Sequence, residues 1–366
     1  MAELVIDSHK IHENFKKLSD FLSKHNMKWT LISKVLAGNK SVLKKILTTP
    51  QLGNIHSIGD SRLSSLKNIK DINPNIITMY IKPPAIKYAN EVVKYSDISF
   101  NTTFEAIQAL NQEAKKLDKV HSVIIMIELG SLREGILRDN IVEFYSKIFK
   151  LPNIKVIGLG TNIGCMYGIE PTYDKLIQLS LYKQLLEAKF DVSLELVSGG
   201  SSITLPLIEQ ENIPSSVNHF RIGEAVFLGT SPASGEQFKD LNTDAFEYVA
   251  NIIEMEKKKI KPEGKMSDAN VGHTSEISYS KDFNEIYRAV VDFGILDVDV
   301  KEIKPKDKKV KFLGTTSDMT VYSLGNNISE KSKTKKYNVG NSIKFNPSYM
   351  AVARLMSSKF VTKKVK

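Results

Sequence analysis

Eight short β-rich runs, each followed by a longer stretch with apolar residues at three- and four-residue spacing, fill the first 230 residues of this chain. The runs are 29–34 (WTLISK), 54–58 (NIHSI), 75–81 (NIITMYI), 97–101 (DISFN), 123–129 (VIIMIEL), 155–161 (KVIGLGT), 194–198 (LELVS) and 219–223 (HFRIG). Strands that alternate with helix-sized crossovers pair in parallel, because a parallel neighbour lies a dozen or more residues away. Two of the helices are plain in the pattern. One spans 8–24, with Ser8 as its cap and Ile11, Phe15, Leu18 and Leu22 on one face; the other spans 174–190, built on Leu176, Leu179, Leu181 and Leu185. Eight strand–helix units in sequence give the count and order of a (β/α)8 TIM-type barrel. A doubly wound open sheet would want a glycine-rich fingerprint after its first strand, and KVLAGNK at 34–40 is not one.

After Gly229 the texture changes. Residues 245–260, 286–293, 310–323 and 338–345 read as strands separated by turn-forming segments, and GTSPASGEQ at 229–237 reads as the join. The expectation is therefore an α/β chain, with the barrel over 1–232 and a C-terminal all-β domain over 233–366.

Composition narrows the function classes. With 42% hydrophobic and 25% charged residues the chain reads as globular, and its one cysteine, Cys165, rules out a disulfide framework. No apolar run reaches the roughly 20 residues of a membrane helix. The N-terminus, MAELVIDSHK, lacks the basic-then-apolar shape of a signal peptide, so a soluble cytoplasmic protein is expected. The net charge is +10, and residues 233–366 supply much of it, with 24 Lys+Arg against 18 Asp+Glu. No aromatic residues interleave with those lysines, so they read as solvated surface and not as a nucleic-acid site. Only six of the 51 basic residues are Arg, at 62, 133, 138, 221, 288 and 354. In a chain that covers its surface with Lys, each Arg marks a place that can use a rigid planar fork.

Barrel chemistry sits at the C-terminal strand ends. There the expected strands deliver Lys34, Glu128 with Arg133 beyond it, Asn162, Ser198 to Ser202 with Gly199 and Gly200, and Arg221 with Gly223. Lys34 closes a buried-looking run, which makes it a partly desolvated amine able to attack a carbonyl and form an imine; a snorkelling strand-end lysine is the plainer reading. SGGSS at 198–202 and FRIG at 220–223 stand on the two consecutive strands whose loops form the usual phosphate cradle of such barrels, although turn chemistry alone also explains a GG pair. Arg221 lies within a strand, where a buried guanidinium demands an acceptor, either a carboxylate or an electron-rich ring nitrogen. Cys165, His56, His121, His219 and His273 show no metal-ligand spacing and read as packing or surface residues, so no metal is expected.

Taken together, SKVLAG around Lys34, IELGSLREG at 127–135, GLGTNIGCMYG at 158–168, LVSGGSS at 196–202 and NHFRIGEAVFLG at 218–229 resemble the alanine racemase family, and within it the ornithine racemase branch. The resemblance runs from about residue 3 to about 350, and is looser beyond 240. It implies a fold-type III pyridoxal 5'-phosphate (PLP) enzyme that interconverts L- and D-amino acids by two-base removal and return of the α-proton. Ornithine is the expected substrate, then alanine or lysine. It implies Lys34 as the cofactor-bearing lysine and base on one face, and Arg221 opposite the pyridine nitrogen, which an arginine does not readily protonate. Ser201, Ser202 and Gly223 would hold the phosphate. Arg133 would lie near the phenolic oxygen, and Asn162 stands where alanine racemases commonly have histidine. Asp318, in GTTSDMTV, matches a β-domain turn that reaches the substrate in the partner subunit, so a homodimer with shared active sites is expected. Glu224 and Asp268 are further candidates for the far end of a basic substrate.

Two departures stand out. The family's opposite-face tyrosine has no counterpart in KMSDANVG at 265–272, where Asp268 falls at about that place and is taken as the second base or its organiser. The tyrosine that follows the cofactor lysine in the family is Gly38 here. A non-catalytic PLP-binding protein and a fold-type III decarboxylase are the alternatives; the β domain argues against the first, since single-domain carriers of this fold lack one.

Overall fold

A computed structural model describes residues 2–48, 50–265, 272–274, 285–329 and 332–366. In chain order its elements begin with β1 (Glu3–Ile6), α1 (Ser8–Lys24), β2 (Lys28–Ile32), α2 (Lys40–Ile46), β3 (Ser57–Asp60), α3 (Leu63–Ile72), β4 (Thr78–Tyr80), α4 (Ala89–Tyr95), β5 (Ile98–Asn101) and α5 (Phe104–Lys116). They continue with β6 (His121–Met126), α6 (Ile141–Ile148), β7 (Ile154–Gly160), α7 (Tyr173–Phe190), β8 (Leu196–Ser201), α8 (Leu205–Glu209), β9 (His219–Ile222) and α9 (Glu224–Leu228). Then follow β10 (Phe246–Lys259), β11 (His273–Thr274), β12 (Glu285–Val291), β13 (Ile303–Pro305), β14 (Lys311–Thr315), β15 (Thr320–Ser323), β16 (Ser342–Pro347), α10 (Tyr349–Ser357) and β17 (Thr362–Val365). Two compact units emerge, one of Lys10–Thr243 and one of Met1–His9 with Asp244–Lys366. The division of the chain is thus not linear.

In the first unit β2 to β9 form a closed parallel barrel, and β9 meets β2 with Lys28 opposite His219 and Thr30 opposite Arg221. Each expected run coincides with a barrel strand or overlaps it. Parallel strands wrapped by helices are buried on both faces, which is why these segments read as unbroken apolar runs. One side of the interior is packed by Met79, Ile98, Phe100, Ile124, Met126, Ile157 and Leu196. The side formed by β8, β9, β2 and β3 instead carries Ser198, His219, Thr30 and Ser57, all buried.

The α1 face is as expected, with Ile11, Phe15, Leu18 and Leu22 buried. Ser8 does not cap it, however; its hydroxyl donates to the carbonyl of Lys366 at 2.5 Å. In α7 the buried face is Leu176, Leu179, Ser180 and Leu186, whereas Leu181 and Leu185 are exposed. At about 100° per residue, these two leucines lie roughly 140° and 180° around the helix from Leu176, on its outer side.

The second unit is a mixed sheet ordered β11-β14-β15-β12-β10-β1-β17, with β16 joining β10 and β13. The N-terminal strand enters it by pairing antiparallel with β10 (Glu3 opposite Val249) and parallel with β17 (Glu3 opposite Thr362). Tyr248, Phe293, Tyr322 and Phe345 form its aromatic core, with ring centroids 5.2 to 6.5 Å apart. The single run expected over 310–323 is a hairpin, β14 and β15, turned by residues 316–319 with Thr316 N–H on Met319 O at 2.8 Å. Among the described residues, no helix is long and apolar enough to cross a membrane.

Candidate active site

The C-terminal end of β2 leads through buried Ser33 into a single 3-10 turn, Lys34–Leu36. Lys34 projects from that turn and is exposed. The expected partial desolvation is not seen, because β2 ends two residues earlier and the lysine leaves the strand. Ala37 and Gly38 follow with φ of 50° and 69°. A Cβ on Gly38 would stand 2.6 Å from Ser65 Oγ and 3.1 Å from Ser65 Cα on α3, so no tyrosine fits where the family has one.

Beside this turn stands a carboxylate that the sequence reading did not single out. Asp60, the last residue of β3, is fully buried and accepts Ser33 Oγ–H at 2.9 Å and Arg62 N–H at 2.9 Å. Burial pushes its carboxyl above the ordinary carboxylate range, against those hydrogen bonds. Tyr80, ending β4, is pushed up to about 12 by burial, with the charge of Asp60 and then Tyr88 adding to it.

Between β8 and β9 the register slips: Ser198 faces His219, but Ser201 faces Arg221. Three residues on β8 thus match two on β9, a bulge that falls on Gly199 and Gly200 and re-aims the strand end. Gly200 has φ of 146°, and a Cβ there would lie 2.3 Å from Thr204 Oγ1. Ser202 is buried, and its hydroxyl accepts the N–H groups of Gly223 at 3.3 Å and Ala225 at 3.4 Å. Thr204 Oγ1 is buried without a partner among the described residues. A close-approaching glycine, a half-buried Ser201, a tethered Ser202 and an orphaned hydroxyl make a pocket of donors, which is what a phosphate needs.

Arg221 is buried in the barrel interior, its guanidinium carbon 5.1 Å from the ring centroid of Phe100 across on β5. It donates to Ser198 Oγ at 2.6 Å, to the Thr161 carbonyl at 2.8 Å and to Asn162 Oδ1 at 3.4 Å. No carboxylate pairs with it among the described residues. Burial lowers it to about 10. Two of its five N–H groups have no partner there, and they leave it able to donate to a ring nitrogen. Asn162 is buried, and its amide nitrogen also lacks a partner among the described residues.

Arg133, on the loop after β6, is exposed and forks onto Glu134, which holds it in its charged form. The thiol of Cys165 bonds weakly to Asn162 Oδ1 at 3.6 Å. Glu128 accepts the backbone N–H of Gly130. Glu224, just after Gly223, is raised by burial, an effect opposed by a 3.2 Å bond from Thr230 Oγ1 and by the charge of Lys34. The barrel mouth therefore assembles Lys34 with Glu224, Ser202 with Gly223, and Arg221 with Ser198 and Asn162.

Asp318 belongs to the other unit. It is exposed on the β14–β15 turn, where Ser317 Oγ donates to it at 3.1 Å. Ile295 and Leu296 N–H brace that turn through the carbonyls of Thr316 and Ser317. Asp268 lies outside the described residues.

Comparison with known proteins gives a consistent answer. The model of the alanine racemase N-terminal domain matches residues 6–232. The ornithine racemase of Acetoanaerobium sticklandii is 31% identical over 364 residues, which is 99% of each chain. The lysine racemase of Thermotoga maritima is 28% identical over 360 residues, covering 98% of this chain and 97% of its own. Among solved structures, an alanine racemase of Clostridium difficile 630 superposes with a TM-score of 0.74 at 14% identity, over 100% of this chain and 95% of that one. The alanine racemase of Bartonella henselae, with covalently bound pyridoxal phosphate, gives 0.69 at 12% identity, over 100% and 99%. At these identities the structural likeness speaks for the fold.

Proposed function

The chain belongs to the alanine racemase family and is an amino-acid racemase, and from that premise we propose that ornithine is its substrate and that PLP is held in the barrel mouth. The observation that carries the cofactor reading is Arg221, a buried cation that among the described residues is bonded only to neutral acceptors and has two N–H groups unused. When bound, PLP supplies an electron sink that acidifies the substrate's Cα–H.

The chain's own groups do the rest. Lys34 Nζ holds the cofactor and moves a proton on one face of the α-carbon. Its exposure leaves the amine accessible to a substrate entering the mouth. Ser201, Ser202 and Gly223 hold the phosphate, and Thr204 Oγ1 adds a donor. Arg221 donates to the ring nitrogen and, as a guanidinium, does not hand over its proton. Asn162 offers its unpartnered amide nitrogen toward the same pocket, and Arg133 serves the phenolic side.

Racemisation needs a proton donor on the second face as well, and Asp268 takes that role. Asp318 meets the far ammonium of a basic substrate from the partner subunit, in a cytoplasmic homodimer. Its turn suits that task, being braced by backbone bonds and exposed. Lysine and alanine are the next substrates in order.

Chiral chromatography tests the proposal. L-ornithine and D-ornithine, each incubated with the PLP-loaded protein, should converge on the same racemic mixture. Carbon dioxide release without interconversion would mean a decarboxylase. Convergence for alanine but not for ornithine would overturn the substrate.

A further inference from the structure

The polar side of the barrel interior is one continuous hydrogen-bonded line. Arg221 Nη1 lies 2.6 Å from Ser198 Oγ, and Ser198 Oγ lies 2.9 Å from His219 Nδ1. His219 Nε2 is 2.8 Å from Thr30 Oγ1, which is 2.7 Å from Ser57 Oγ, and Ser57 Oγ is 3.1 Å from His56 Nδ1. His56 immediately precedes β3 and is half-buried at the N-terminal strand ends, so the line runs from the candidate site to the opposite end of the barrel.

The donor count fixes the direction of the bonds from Arg221 to Thr30. A guanidinium only donates, so Ser198 Oγ accepts from Arg221. The Ser198 hydrogen then finds its acceptor at His219 Nδ1, which must carry a lone pair. Neutral His219 therefore holds its proton on Nε2 and donates to Thr30, whose own hydrogen goes to Ser57 Oγ or to Met79 Sδ at 3.7 Å. Reversing the line would make Ser198 accept twice and leave its own hydrogen without an acceptor among the described residues. A second proton on His219 would have the same effect. Burial is what chiefly keeps the His219 ring neutral; a proton on His56 and the charges of Arg221 and Lys28 act in the same direction, with no carboxylate among the groups acting on it.

We propose that His219 is a positioning residue of this enzyme: as the neutral Nε2–H tautomer it orients the Ser198 hydroxyl, which in turn holds the Arg221 guanidinium against the ring nitrogen of the bound cofactor. Side chains at i and i+2 of a strand share a face, and that is how His219 comes to stand directly below Arg221 on β9. Among the described residues Arg221 has no carboxylate to hold it, and its orientation there comes from neutral acceptors. Of these, Ser198 is the one whose own polarity must be set from elsewhere. This role rests on the racemase reading above, but the tautomer itself does not.

The test begins with the unmutated protein without cofactor, whose histidine ring nitrogens are read by two-dimensional 15N–1H NMR. The His219 signal is assigned by its loss in His219→Asn. A pyridine-type Nδ1 and a pyrrole-type Nε2 are expected; the Nδ1–H tautomer, an averaged pair or an imidazolium at neutral pH would overturn the proposal. Two variants then test the role. His219→Asn keeps an acceptor for Ser198 near the place of Nδ1, whereas His219→Leu removes it. In PLP-loaded protein, His219→Leu should lower kcat roughly ten- to a hundred-fold, as misplacement of an active-site group does. KM should change by less than about threefold, because a transition-state interaction is what is lost. His219→Asn should recover most of that loss. Equal losses in the two variants, or none in His219→Leu, would overturn the positioning role. If the native chain racemises nothing, the functional reading fails while the NMR result still decides the tautomer.

Discussion

Gly38→Ala is a direct test of how the turn after Lys34 is built. The native backbone there has φ of 69°, and an added Cβ would meet Ser65 Oγ at 2.6 Å and Ser65 Cα at 3.1 Å. The left-handed conformation costs an L-residue about 1–2 kcal/mol. Overpacking a well-filled site adds about 1–3 kcal/mol. Together these give a loss of roughly 2–5 kcal/mol, or about 4–20 °C in Tm at 2–4 °C per kcal/mol for a unit of this size. Calorimetry or thermal circular dichroism measures it. The two parts separate in a second variant, because Ser65 Oγ is buried without a partner among the described residues and Ser65→Ala alone should be neutral or slightly stabilising. In the Gly38→Ala background Ser65→Ala removes the nearest clash and should recover part of the steric loss, leaving the conformational one. A Tm for Gly38→Ala within about 2 °C of the native chain would refute the reasoning. So would a loss that Ser65→Ala leaves untouched.

Lys34→Ala should abolish racemisation and leave stability within about 0.5 kcal/mol, since the side chain is exposed; denaturant titration beside the chiral assay checks both. Arg221→Lys keeps the charge but loses the fork that reaches Ser198, Thr161 and Asn162 together, and kcat should fall roughly ten- to a hundred-fold in steady-state assays. Asp60 has its folded-state carboxyl raised from an ordinary 3.8, so the stability it contributes is present below that value and lost as pH rises through the folded one. Asp60→Asn should therefore gain stability relative to the native chain between acid and neutral pH, measured by urea unfolding at several pH values. A difference that is flat with pH would contradict this.

The barrel was legible because parallel strands bury both faces and announce themselves as apolar runs, and because helix-sized spacers leave few other topologies. Arg221 was legible for a related reason, as a rare arginine inside such a run. What the local pattern missed lay in boundaries and distant pairings. The second run was expected at 54–58, but the strand is Ser57–Asp60, and that shift of a few residues hid Asp60 as a strand-end carboxylate. Glu3–Ile6 is too short to classify alone, and its partners lie some 240 and 360 residues away. Lys34 looked shielded by the run before it; only the end of β2 at Ile32 reveals it as exposed. His219 read as packing, since its meaning depends on Ser198 and Thr30, from two other strands.

The most direct test of the central claim is exchange of the α-proton of L-ornithine in heavy water, followed by NMR in the presence of the PLP-loaded protein, with chirality read from the same sample. Loss of the α-proton signal in step with loss of optical purity is the predicted result, since both faces of the α-carbon are served. Exchange with full retention of the L-form would contradict the two-base account and leave Lys34 as the one competent group. No exchange at all, with PLP bound, would contradict the claim that ornithine is the substrate.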